Sequence, residues 1–278
     1  MDVIIGLGGA ACSVVREFEK YPQYDIYKLD DECSQEENYY ELEKHDNTED
    51  YEAKCPDLTH FFKDLGGEVL FVVCGASTVS AASLAILQQI HRKAEINVLY
   101  LKPDTFLLNE LRKLQERTVY NVLQQYARSG LLKQTFLFEN AALEEIVGDV
   151  PIAELRKKVN ELIVHTIHMM NIFHHTQPLT KTFSTPHPSA RICTLGALDI
   201  STEEEKNYFD LKNTREKEYY FAISEGALKT DTKLNKKILD LVKDQKSDDL
   251  FVSYGIYSTK YDRSFAYSVS RSSFVQQG

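Results

Sequence analysis

The chain has 278 residues and a formal net charge of −10, and 43% of its residues are hydrophobic. This composition excludes a disordered chain and suits one large or two modest domains. A net negative charge lacks the cationic footprint that a nucleic-acid backbone demands, so no nucleic-acid partner is expected. No run reaches the roughly 18 apolar residues of a membrane span, and no basic leader precedes the first apolar stretch. A cytoplasmic protein without a membrane partner is expected. The five cysteines are scattered and odd in number, which suggests neither a disulfide framework nor a zinc site.

In chain order, residues 2–6 predict a first strand, and a helix follows the glycines to about residue 21. YDIYKLD (24–30) predicts a second strand. The stretch DDECSQEENYYELEKHDNTEDYEAKC is dense in carboxylates without apolar periodicity, which predicts a solvated loop; its alternative reading is a surface for a protein partner. EVLFVVCG (68–75) is a nearly continuous apolar run, the mark of a central strand in a parallel sheet. A helix beginning with small residues follows, then a buried strand INVLYLKP (96–103), a long helix over about 104–129, and a strand QTFLFEN (134–140).

PIAELRKKVNELIVHTIHMMNIF carries proline in the first helical turn and apolar residues at helical spacing. It predicts a helix of about six turns, packed on more than one face. His165 and His168 lie three apart on it, and with His174 and His175 they read as packing near a helix C-terminus rather than as a metal site. HHTQPLTKTFSTPHPSA is a loop or hinge. Beyond it RICTLGALDI, EYYFAISEGAL, LFVSYGIYS and RSFAYSVSRSS are strand-like, with one helix, TDTKLNKKILDLVKDQ, between them. The expected organisation is a nucleotide-binding domain over 1–150 with an acidic insertion at about 31–57. A central helix at 151–176 and an α+β domain with a substantially antiparallel sheet at 177–278 complete it.

The chemistry begins at Gly6-Leu7-Gly8-Gly9-Ala10-Ala11. Small residues between a strand and a helix let the backbone approach phosphate oxygens, and the helix N-terminus offers free N–H groups and partial positive charge. Taken alone, Gly6-x-Gly8-x-x-Ala11 with Asp30 about 20 residues on matches a dinucleotide-binding fingerprint.

The same residues also resemble the opening of the tubulin/FtsZ superfamily, in which such a loop cradles GTP phosphates and an acid after the second strand helps hold magnesium. That family has a second phosphate loop, G-G-[GA]-T-G-[ST]-G. Here Gly75-Ala76-Ser77-Thr78-Val79-Ser80-Ala81 follows Cys74, matching at Gly75, Thr78 and Ser80, with fewer glycines. Tyr100-Leu101-Lys102-Pro103 is similar to the family's strand and proline near the ribose. FENAALEEI resembles tubulin's DNEALYDI, and VNELI resembles LNHLV at the head of the central helix. Both family segments bring an asparagine to guanine, which Asn140 and Asn160 would match; an amide both donates and accepts at a purine edge. The tail resembles the second domain of FtsZ, and a nicotinamide oxidoreductase predicts none of these downstream features.

The resemblance implies an α/β fold with a Rossmann-like GTPase domain, a central helix and a smaller α+β domain. It implies GTP or GDP held by Gly6, Gly8, Gly9, Ala10, Cys12, Gly75, Ser77, Thr78, Ser80, Asn140 and Asn160, with Mg2+ at Asp30. Gly8, Thr78, Asn140 and Asn160 must then converge. It also implies head-to-tail self-association into filaments, as a small prokaryotic or phage-type member. The family's hydrolysis loop, G-x-x-N-x-D-x-x-[DE], has its counterpart in HHTQPLTKTFSTPHPSA, which contains no Asp or Glu, so no catalytic residue is assigned. His187, alone between two prolines, reads as a loop residue. Weak or absent hydrolysis follows, and the alternative is a non-polymerising structural or adaptor protein that keeps the fold without a GTPase cycle.

Overall fold

A computed structural model describes residues 1–277; Gly278, the end of the expected C-terminal domain, lies outside them. The chain divides into two units, residues 1–164 with the residues from Val275 on, and residues 165–274.

In the first unit the apolar runs form strands as their composition requires: β1 (Val3–Leu7), β2 (Asp25–Asp30), β3 (Tyr39–Glu41), β4 (Glu68–Cys74), β5 (Glu95–Lys102) and β6 (Gln134–Glu139). They pair in the order β3-β2-β1-β4-β5-β6, all parallel. The chain steps outward from β1 to β2 and β3, then returns to the other side of β1 with β4. A topological switch point therefore lies between β1 and β4, where the connections leave in opposite directions and open a crevice at the strands' C-terminal ends.

The helices of this unit are α1 (Gly9–Arg16), α2 (Thr48–Ala53), α3 (Ser83–Ile90), α4 (Glu110–Ser129) and α5 (Asn140–Val147), with a 3₁₀ turn at Thr78–Ala82 before α3. Helix α6 (Ile152–His174) runs from this unit into the second. The division at Val164/His165 falls inside it, not at the expected boundaries near 150 and 176.

Several helices are shorter than their periodicity suggested, two of them for a visible reason. After α1 the chain turns at residues 17–20 instead of continuing to 21. The segment expected to be one helix from 104 is cut by two caps: Asp104 accepts from Phe106 N to start a 3₁₀ turn, and Asn109 accepts from Arg112 N to start α4. Gly130, at φ 84°, ends α4 in the left-handed conformation that glycine adopts without cost. The C-terminal residues of the chain clamp on this helix, Gln276 and Gln124 exchanging two hydrogen bonds of 2.7 and 3.2 Å.

The acidic stretch is only in part a solvated loop: most of it is exposed, but it is anchored at two places. Its β3 extends the sheet alongside β2, α2 follows, and Leu42 and Tyr51 are 4% and 3% exposed. Cations from outside the stretch pair with one of its acids, Glu36. Glu36 receives the Arg16 guanidinium at 2.8 Å and the nearly buried Lys28 ammonium at 2.7 Å; Lys28 also holds Glu19 at 2.6 Å.

Hydrogen bonds from Arg16 and Lys28 pull the Glu36 carboxyl down to about 2, from an ordinary 4.5. A folded pKa below the unfolded one gives stability that is complete above pH 4.5 and is lost as the pH falls toward 2. Glu36→Gln should therefore melt below the unsubstituted chain at pH 7, and the gap in Tm should narrow steadily from pH 5 to pH 3. A gap that is constant with pH would assign the loss to packing instead.

The second unit contains β7 (Thr180–Lys181), β8 (Ile192–Leu198), β9 (Glu205–Asn207), β10 (Glu216–Ser224), β11 (Phe251–Thr259) and β12 (Phe265–Ser272). Their order is β8-β12-β10-β11-β7, with β9 also paired to β8. Every pair is antiparallel except β10/β11, whose crossover carries α7 (Glu225–Thr230) and α8 (Leu234–Gln245). The run EYYFAISEGAL, expected as strand throughout, turns helical after Ser224 because the Ser224 hydroxyl accepts from Ala227 N. Ile238 and Leu241 of α8 pack on Tyr219, Phe221, Ile223 and Ile256. Among the described residues no helix is long and apolar enough to cross a membrane.

Candidate functional site

At the switch point, Gly8 has φ 84° and ψ 157°, a backbone conformation reserved for glycine. Its N–H donates to Leu29 O at 2.8 Å, and its carbonyl accepts from Cys12 N at 2.9 Å. The N–H groups of Gly9, Ala10 and Ala11, in the first turn of α1, have no acceptor within the helix. With the helix dipole they make an anion-favouring end. A Cβ on Gly8 would sit 3.0 Å from Ser77 Oγ, so the two small-residue loops pack against each other.

Beside them lies a cleft of about 350 Å³. Ala10 and Val14 of α1, Cys74 and Leu101 at the ends of β4 and β5, and Asn140 and Glu144 of α5 line it. The head of α6 closes it with Ile152, Leu155, Arg156, Val159, Asn160 and Ile163. Three sequence-predicted residues, Ala10, Asn140 and Asn160, are thus brought to one cavity. Asn140 starts α5 directly after β6, at the mouth of the sheet. Asn160 is 7% exposed, and its Nδ2 donates to Ser13 Oγ at 2.9 Å, which fixes the amide's orientation.

Other expected residues are engaged within the fold and do not line this cleft. Gly6 lies in β1, where a Cβ would come within 2.9 Å of Val15, so it allows α1 to pack closely on the strand. The Cys12 thiol is buried and donates to Gly6 O and Leu29 O at 3.5 Å; burial, with the nearby Asp30, pushes it up to about 12. Gly75 faces Tyr100, whose hydroxyl would lie 1.8 Å from a Cβ at this position. Ser80 is fully buried and its hydroxyl donates to Ser77 O at 2.6 Å. Thr78 lies close to Tyr51 of α2, whose hydroxyl donates to Asp31. Gln115 of α4 holds the Ser77 carbonyl at 2.6 Å and accepts from Thr48 of α2 at 3.3 Å. The second loop is therefore held by Gln115 of α4, which Thr48 of α2 braces in turn. Of the four residues expected to converge, Asn140 and Asn160 line the cleft and Gly8 adjoins it through Gly9 and Ala10, while Thr78, at the start of the 3₁₀ turn, is not among the lining residues.

Asp30 stands beside the first loop, its Oδ2 3.2 Å from where a Gly9 Cβ would be. Burial raises its pKa, partly offset by the hydrogen bond from Asp31 N at 3.0 Å. Among the described residues no three His, Cys, Asp or Glu side chains gather as a metal cluster. Magnesium at Asp30 would draw its remaining oxygen ligands from phosphate and water, the usual arrangement for this hard, strongly hydrated cation.

Sequence reasoning missed Ser13, Glu144 and Arg156. Glu144 had a usable signal, standing one helical turn after Asn140 on the same face. Ser13 had none, because its partner Asn160 lies 147 residues away.

No protein-family model and no curated protein matches the chain. Solved structures do. A GDP-form protofilament of TubZ from Bacillus thuringiensis serovar israelensis superposes with a TM-score of 0.70 at 13% identity, covering 98% of this chain and 87% of that one. An FtsZ dimer from M. jannaschii gives 0.69 at 10% identity, covering 97% and 87%. A GTPγS-form protofilament of the same TubZ gives 0.66 at 12% identity, covering 96% and 85%.

Proposed function

From the tubulin/FtsZ-superfamily fold that the chain shares with these structures, we propose that it is a cytoplasmic guanine-nucleotide-binding protein that self-associates head to tail into filaments, with weak or no GTP hydrolysis. The observation that carries this reading is the meeting of Ala10, Asn140 and Asn160 in one cleft at the switch point, beside the free first-turn N–H groups of α1. In this reading the α1 N-terminus and Gly8–Ala10 hold phosphate, Asp30 supports Mg2+, and the two amides meet the base. The relatives superposed here include GDP-form and GTPγS-form protofilaments of TubZ, which supports both the nucleotide class and the assembly.

Hydrolysis is weak because residues 174–190, from the last residue of α6 onward, contain no carboxylate to orient or deprotonate water. One arrangement favours the second reading, a structural or adaptor protein without a nucleotide cycle: the Ser80 hydroxyl is already engaged by Ser77 O, and neither it nor Thr78 lines the cleft. Sedimentation with GTP, with a non-hydrolysable analogue and without nucleotide separates the two. Pelleting that requires nucleotide, with GTP or GDP co-purifying, is the expected result. Assembly indifferent to nucleotide, or none, would establish the adaptor.

A further inference from the structure

Among the described residues lining the cleft, Glu144 is the only acid and Arg156 the only base, and both are exposed. Neither side chain makes a hydrogen bond or ion pair with another described residue, unlike the clasped second loop. A carboxylate placed four residues after Asn140, on the same face of α5, thus stands free at the wall of the cleft. Asn160, by contrast, is already oriented by Ser13, which takes one of its N–H groups and leaves its oxygen as an acceptor.

Building on the nucleotide reading above, we infer that Glu144 selects the base: its carboxylate accepts from N1–H and the exocyclic N2 amine of guanine. The argument is one of hydrogen-bond arithmetic. An asparagine amide carries both a donor and an acceptor, so by turning over it can satisfy guanine or adenine alike. A carboxylate only accepts. It demands two neighbouring donors on the ligand, and among the common bases guanine alone has them, at N1 and N2. Adenine offers an acceptor at N1 beside the N6 donor, which would place a lone pair against a negative charge. The bonds to guanine are charge-assisted and side by side, the stronger and more directional kind. The two asparagines hold the base, and the glutamate tells which base it is.

Two measurements test this, one without any substitution. Inosine diphosphate lacks the N2 amine, so the unsubstituted chain should bind it about tenfold or more weakly than GDP, the loss expected for one charge-assisted bond. Glu144→Gln replaces one acceptor by a donor. It should erase the preference for GDP over IDP and raise the affinity for xanthosine diphosphate, whose N1–H and O2 match a carboxamide. Glu144 is on the surface of α5, so the variant should keep the melting curve of the parent. Equal binding of GDP and IDP by the unsubstituted chain, or an unchanged GDP/IDP ratio in Glu144→Gln, overturns the role of Glu144 and leaves nucleotide binding standing. Failure to bind any of these nucleotides overturns both.

Discussion

Arg271→Met is expected to destabilise the second unit by about 3–5 kcal/mol, the cost of removing one partner from a buried ion pair. Arg271 on β12 and Glu218 on β10 are 4% and 7% exposed and lie 2.9 Å apart. The second guanidinium nitrogen reaches Cys193 Sγ at 3.4 Å, and Tyr220 donates to the same Glu218 oxygen at 3.1 Å. Arg271 Nε, buried, finds no partner, so the pair already falls short of full satisfaction. Removing the cation strands the Glu218 charge in a medium that cannot solvate it. The paired substitution Arg271→Met with Glu218→Leu leaves no charge behind and should recover most of the loss, since the attraction only offsets a large desolvation cost. Urea unfolding followed by circular dichroism would show this. A loss below about 1 kcal/mol for the single variant would mean that water reaches the pair.

Gly75→Ala should be nearly as damaging, for a steric reason in place of an electrostatic one. The new Cβ would come 1.8 Å from Tyr100 Oη, 2.6 Å from Cζ and 3.1 Å from Glu116 Cγ. Tyr100 is fully buried, and its hydroxyl donates to the buried Glu116 carboxylate at 2.8 Å. To make room the ring must move, at about 1–3 kcal/mol for overpacking. Glu116 then loses its donor, at about 1–3 kcal/mol more. In a Tyr100→Phe background the oxygen is gone and the same substitution should cost measurably less, a coupling that a double-mutant cycle of melting curves would resolve. Equal costs in the two backgrounds would show that Tyr100 is not what requires the glycine. Gly75 was matched to a phosphate loop on sequence, yet its strictest constraint here is the tyrosine hydroxyl behind it.

The strands were legible because their signal is local. The runs at β1 and β4 are almost entirely apolar, and burial on both faces is the simplest environment that tolerates them. The same holds for α6, whose apolar spacing and the proline immediately before it needed no partner to be recognised. Helix ends were read less well, since a cap such as Asn109 or Ser224 acts through one side-chain oxygen and leaves no periodic trace. The acidic segment was read only in part because the cations that hold its Glu36, Arg16 and Lys28, come from α1 and β2.

What the amino-acid order alone determined is the alternation of elements and the presence of two small-residue loops and two asparagines at telling positions. Only the tertiary structure decided which of these side chains face a common space. It turned Ala10, Asn140 and Asn160 toward one cleft, set Glu144 among them, and directed Cys12 and Ser80 inward. The reason is that periodicity reports which face of an element is apolar, a property of neighbours in the chain. The bearing of a short polar side chain is settled by whichever donor or acceptor lies nearest in space, and for Asn160 that is Ser13, 147 residues before it.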